Sequence, residues 1–213
     1  MAVVFLPTGL HAKEGSSAQG KINDGIYVSA QGDFSLLVPE FKLKRTIEEG
    51  RRGQQICLRL YDGAGDLFRM EICPLPDNLF EVFTTGGEVI LIDFFNRTVM
   101  PNFRQECPKA LIIDQDCLVL NNQQNAYFFL VDLPQSASLG ESKDEQKWDT
   151  MRGALVFLSG KNLIILSYQT DAAFSSKPKP HVREIKARYS QVLIRAAHSL
   201  RFEHSSEQEQ SAH

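Results

Sequence analysis

Apolar and polar positions alternate most clearly between Gln55 and Cys73. In Gln55-Ile-Cys-Leu-Arg-Leu-Tyr61 the residues Ile56, Leu58 and Leu60 share one face. Phe68, Met70 and Ile72 do the same in Leu67-Phe-Arg-Met-Glu-Ile-Cys73, because successive strand side chains point to opposite faces. The two apolar faces meet only when even positions stand opposite even positions. Leu60 is therefore predicted to face Phe68 and Leu58 to face Met70, with Gly63-Ala64-Gly65 as a three-residue loop that offers glycine for a left-handed turn. Cys57 and Cys73 then share the other face as diagonal neighbours.

The same pattern predicts two short strands, Gly25–Ser29 and Asp33–Pro39, around a glycine turn. Extended segments follow at Ala110–Ile113, Cys117–Leu120 and Ala126–Leu133, the last two joined across residues 121–125, and a third hairpin pairs Gly153–Leu158 with Leu163–Tyr168. Over 88–100 the spacing changes: Val89, Ile92, Phe94, Phe95 and Val99 fit a helical stripe entered through Gly86-Gly87 and left before Pro101. The β-branched run 89–92 keeps a strand as the rival reading. Val182, Ile185, Tyr189, Val192, Leu193 and Ala196 recur at helical spacing, so 181–197 is predicted as an amphipathic helix with Ile185, Tyr189, Val192 and Ala196 against a sheet. The hairpins 55–73, 117–133 and 153–168 are expected to share one sheet flanked by these two helices.

Composition sets the outer bounds. The chain has 213 residues, 43% hydrophobic and 23% charged, enough for one large core. With 23 Lys and Arg against 26 Asp and Glu, it carries no positive excess to draw in nucleic acid. No window approaches the ~20 uninterrupted apolar residues of a membrane span. One domain is expected over 25–202, preceded by a signal-like or flexible segment, 1–24, and followed by a disordered polar tail, 203–213. Met1 to Ala12 is apolar and ends in Leu10-x-Ala12 before a polar run to Lys21, which resembles the back half of a secretory signal without its positive start. Export to a periplasm, lumen or cell envelope is the expectation; an apolar strand of a cytoplasmic protein is its alternative.

Catalytic patterns are not evident. There is no G-x-S-x-G, no phosphate-cradling G-x-x-x-x-G-K-[ST], and no G-x-G-x-x-G opening a helix. Cys57, Cys73, Cys107 and Cys117 form no C-x-x-C pair, so zinc is not expected, and both disulfides after export and buried free thiols fit an even count. His11, His181, His198, His204 and His213 cluster toward the ends and read as solvated. Asp114 and Asp116, with Asp132, offer oxygens for a cation, but Asp-Gln-Asp reads as a turn. Trp148, the sole tryptophan, is expected to anchor the polar excursion 136–149. The one local charge excess is Lys177, Lys179, Arg183, Lys186, Arg188 and Arg195, a basic face suited to an acidic partner or anionic lipid head groups.

Gly25-Ile-Tyr27, Gly32-Asp-Phe-Ser35, Val38-Pro39, Arg152-Gly153 and Ser199-Leu-Arg-Phe202, in this order of elements, resemble the PsbP-like superfamily over about residues 25–202. The resemblance implies an α/β/α sandwich with a central, mainly antiparallel sheet. PsbP assists the oxygen-evolving complex of photosynthesis, and relatives elsewhere are exported or lipid-anchored. No cysteine precedes Cys57, so a lipid anchor is not expected here. The function expected is that of a non-catalytic exported domain that binds another protein, as accessory subunit or assembly factor. Neither cofactor nor nucleic acid is expected, and peripheral membrane contact would run through the basic face. The alternative is a small-molecule or metal-binding domain, perhaps enzymatic, with its pocket between sheet and helix.

Overall fold

The computed structural model describes residues 20–41, 43–62, 65–120, 124–137, 148–170 and 181–203. Seven strands form one antiparallel sheet: β4 (Arg45–Arg52), β5 (Gln55–Asp62), β6 (Leu67–Pro74), β7 (Leu111–Val119), β8 (Asn125–Ala137), β9 (Trp148–Ser159) and β10 (Asn162–Gln169). Their spatial order is β4-β5-β6-β10-β9-β8-β7. The three hairpins predicted from alternation do share this sheet. Leu58 pairs with Met70 and Leu60 with Phe68, and Gly65 takes φ 89 in the loop between them. Cys57 stands opposite Glu71, which leaves Cys73 diagonal to it; all four cysteines are free thiols.

Each face of the sheet carries its own core. On one lie Leu58, Leu60, Phe68, Met70, Phe128, Leu155 and Leu166, under helix α3 (Val182–Ser199). Tyr127, Phe129, Val131, Ala154, Val156 and Leu163 line the other, under α1 (Asp77–Phe94), a π-helical segment (Phe95–Val99) and α2 (Met100–Glu106). Alternate residues of a single strand thus serve both layers, as β8 does with Phe128 and Phe129, and the architecture is the expected α/β/α sandwich. A second antiparallel sheet joins the α3 side: β1 (Lys21–Asn23), β2 (Ile26–Val28), β3 (Phe34–Leu37) and β11 (Arg201–Phe202), in the order β1-β2-β3-β11. Its Tyr27, Phe34 and Leu36 belong to the α3 core.

Helix α3 matches its predicted face: Ile185, Tyr189, Leu193, Ala196 and Ala197 are buried, and Val192 packs half-buried against them. Gly153 makes close approach feasible. A Cβ there would lie 2.9 Å from Tyr189 Cβ and 3.2 Å from the Phe128 ring, so glycine lets the helix sit directly on β9. Tyr189 closes the seam with its hydroxyl, which donates to the Thr170 carbonyl and accepts from the Thr170 N–H.

Several expectations need correction. The predicted helix 88–100 begins at Asp77 instead, with Pro76 as its N-cap, and Gly86-Gly87 is a kink inside it. Gly87 has φ 53 and ψ −134. Pro101 does not follow the helix; it lies in the first turn of α2, which runs on directly from the π segment through Val99 and Met100 in helical conformation. Between the two helices the π segment admits extra residues per turn, so Phe94, Phe95, Val99, Met100 and Phe103 all reach the core. Phe95 stacks on Phe129 at 3.5 Å and 6°.

The segments Ala110–Ile113 and Cys117–Leu120 are one strand, β7, whose register shifts between Ile112 and Asp114. This makes Asp114 and Asp116 strand residues, not a turn. Lys21–Asn23, expected within the signal-like or flexible segment 1–24, is β1. Edge strand β4, Arg-Thr-Ile-Glu-Glu-Gly-Arg-Arg, was not predicted, because its charges carry no apolar alternation.

Candidate functional site

The basic face of α3 does not act as a unit. Lys186 turns toward β7, where its ammonium meets Asp114 at 2.9 Å and Asp116 at 3.4 Å. Hydrogen bonding to Asp114 raises its pKa. Arg183 is exposed elsewhere on the helix, while Arg188 and Arg195, seven residues apart and so on one helical face, border a common groove. Lys177 and Lys179 lie outside the described residues. Trp148 opens β9, its Cα partnered by Ala137, and its side chain is likewise outside them. His181 precedes α3 on the surface and His198 is half-buried near its end; His11, His204 and His213 lie outside. Among the described residues no three His, Cys, Asp or Glu side chains converge as metal ligands.

The groove runs between α3 and the small sheet, with a volume of about 630 Å³. Val38, Val192 and Ala196 give it an apolar floor; Arg45, Arg188 and Arg195 stand on its walls with Asp24 and Glu40. Tyr168 closes the inner end. Burial pushes its phenol pKa up, and the Arg188 guanidinium hydrogen-bonded to it pulls the other way.

Local sequence explains the walls. Asp24 and Gly25, at φ 49 and 78, make the two-residue turn between β1 and β2, with Asn23 paired to Ile26. Asp-Gly favours that turn because both central residues need positive φ. The dipeptide was the available signal for β1. Leu37 N–H donates to Ser199 Oγ at 2.7 Å, tying β3 to the last turn of α3.

A partly buried ionic clamp holds the small sheet to β4. The Tyr27 hydroxyl donates to Glu49, whose side chain is only 4% exposed. Glu49 also accepts from the Ala30 N–H at 3.0 Å and from Arg51 at 2.8 Å. Arg51 forks onto Asp33 at 2.8 and 2.9 Å, and Asp33 accepts from Ser29 Oγ at 2.5 Å. The Arg51 guanidinium beside Asp33 holds that carboxyl below its ordinary value, while burial pushes the Tyr27 phenol up. Neither Glu49 nor Arg51 was singled out from sequence, since two Glu and three Arg on a surface strand carry no spacing rule.

A second polar cluster lies under α2. Arg69 and Glu71 pair at 2.8 Å. Arg152 donates through Nε and Nη to Gln169 at 3.0 Å, and its guanidinium lies over the Phe103 ring at 5.4 Å. Burial raises the Glu71 pKa, with Arg69 opposing. These interactions orient both arginines, a structural arrangement on a sheet face that sequence alternation presents as merely polar.

The chain shows distant similarities to solved structures. It is similar to the solution structure of cyanobacterial PsbP from Synechocystis, with 13% identity, a TM-score of 0.48, and coverage of 91% of this chain and 99% of that one. It is also similar to a crystal structure from Bacteroides thetaiotaomicron, with 10% identity, a TM-score of 0.41, and coverage of 89% of this chain but 50% of that one. No family model matches the sequence, and no curated protein shows significant similarity to it. No helix among the described residues is long and apolar enough to cross a membrane.

Proposed function

We propose that this chain is a non-catalytic accessory domain that docks another protein in the groove between α3 and the small sheet. The observation that carries the reading is the make-up of that groove: an apolar floor of Val38, Val192 and Ala196 within a charged rim. Protein interfaces share this anatomy, with a dry centre, a polar rim and an excess of arginine. Three guanidiniums, Arg45, Arg188 and Arg195, against the two carboxylates of Asp24 and Glu40 favour an acidic partner surface. The apolar run Met1–Leu10 with Ala12 and the polar stretch behind it support export, so the partner belongs to the cell envelope or a lumen.

A photo-crosslinking residue at Val192 tests the docking directly. One discrete adduct is expected from the envelope fraction, and Arg188→Glu with Arg195→Glu should abolish it while the fold survives. Adducts that persist in the folded double variant would remove the groove from the interaction. If the double variant instead loses only flotation with anionic vesicles, the arginines serve lipid and the protein-docking reading fails. Export is tested by N-terminal mass spectrometry of the native protein, which should begin near residue 13.

A further inference from the structure

A different concavity opens on the opposite face of the sheet, where α1 bends. Gly87 leaves helical geometry at φ 53 and ψ −134. A Cβ on Gly86 would lie 1.9 Å from Ile90 Cγ1. Glycine is required at both positions for the bend to exist. A straight helix would carry an unbroken ridge of side chains across the sheet; the bend interrupts it. What remains is a cavity of about 370 Å³ between Phe80, Phe83 and Leu91 of α1 and Leu158 and Asn125 of the sheet. Phe94 holds the Phe83 ring edge-on, with centroids 5.7 Å apart. Thr84 also borders the cavity, but its hydroxyl is bonded to the carbonyls of Phe80 and Glu81.

Size and lining select the occupant. The volume lies at the lower end of small-molecule sites, about 300–1,000 Å³, and is too small to enclose a turn or more of an α-helix about 10 Å across. Two phenyl rings favour a flat apolar body. The carboxamides of Gln124 and Asn125 supply donors and acceptors at one side, and the described lining contains no ionisable side chain, which favours a neutral ligand over an ion. We propose that this pocket binds a small, neutral, planar apolar molecule with one polar edge. The site shares no residue with the α3 groove, so either can fail without the other.

The test uses the full chain and the neutral fluorophore N-phenyl-1-naphthylamine. Saturable one-to-one binding with enhanced, blue-shifted emission is expected. Leu158→Trp and Thr84→Phe each fill the cavity and should weaken binding at least about tenfold, a loss of ~1.4 kcal/mol, with cooperative unfolding retained. Val89→Ser, at an exposed α1 position outside the cavity, should change nothing. In the unaltered protein, methyl NMR should show Leu91 and Leu158 shifting with fluorophore while Leu58 and Leu193, in the opposite core, stay fixed. Non-saturable binding, undiminished binding in a folded filling variant, or shifts that bypass Leu91 and Leu158 would each overturn the assignment. So would a pocket that refuses the fluorophore while its filling variants lose a protein partner, which would make it a socket for a partner side chain.

Discussion

The two helical layers cover one sheet by different means. Helix α3 is a single unbroken run of 18 residues whose buried positions keep one phase from Ile185 to Ala197. The opposite layer is kinked at Gly87, underwound through the π segment Phe95–Val99, and returns to α-helix from Met100. Each departure shifts the phase of the apolar stripe, so consecutive residues such as Phe94 and Phe95 both reach the core. Regular helices advertise their inner face in sequence; a layer assembled from pieces is held by contacts that no fixed period encodes.

If that difference is real, deletions in both cores should be costly while the reasons differ. Phe95 is fully buried and stacked on Phe129, so Phe95→Ala should cost about 3–5 kcal/mol, and Ile185→Ala, in the regular layer, about 2–5 kcal/mol. Urea unfolding of both variants checks this; a silent Phe95→Ala would mean that the broken layer is not part of the cooperative core. Gly153→Ala probes the close seam of α3 on β9, where the added methyl overpacks Tyr189, with an expected loss of about 1–3 kcal/mol. A loss confined to that layer should appear as faster hydrogen exchange in α3 with α1 unchanged.

The α3 side should also be the acid-sensitive one, because the Asp33–Arg51 clamp belongs to its small sheet. Arg51 depresses the folded pKa of Asp33, so the stabilisation is present above the unfolded carboxylate value of about 3.9 and is lost as pH falls through the lower folded value. Amide exchange around Tyr27 and Phe34 should rise below about pH 4 before that around Phe95 does. Arg51→Gln should bring the onset to higher pH. Equal acid sensitivity in the two layers would dissociate the clamp from the small sheet's stability. The smallest effect is expected at the surface. Arg188→Glu should change stability within about ±0.5 kcal/mol, measured by thermal melt, while disrupting adduct formation at the groove.

Much of the fold was legible in the sequence. The register of Leu58 with Met70 and Leu60 with Phe68 followed from parity alone, and the face of α3 followed from spacing. Legibility failed where local chemistry disagreed with the final state. Gly86-Gly87 reads as the turn before a helix, yet Thr84 and Thr85 bond back to carbonyls of the preceding turn and the helix continues through a kink. Of the four basic residues within the described segments, Arg183, Lys186, Arg188 and Arg195, two, Arg188 and Arg195, reach the candidate groove. Lys186 was diverted because β7 presents Asp114 and Asp116 toward α3.

By itself, then, the sequence determined the quantities that depend on near neighbours. Strand parity and the amphipathic face of α3 follow from side-chain periodicity and the need to bury each apolar face, while the α/β/α class was implied by the resemblance of short motifs and their order. Tertiary structure decided what distant residues do to one another. Arg45, Asp24 and Glu40 come to Arg188 and Arg195 only when β1 to β4 fold against α3, and Glu49 becomes a buried anchor only because Tyr27, Ala30 and Arg51 converge on it. A charge on an edge strand has no preset partner along the chain, so its role is fixed by whichever element packs across it.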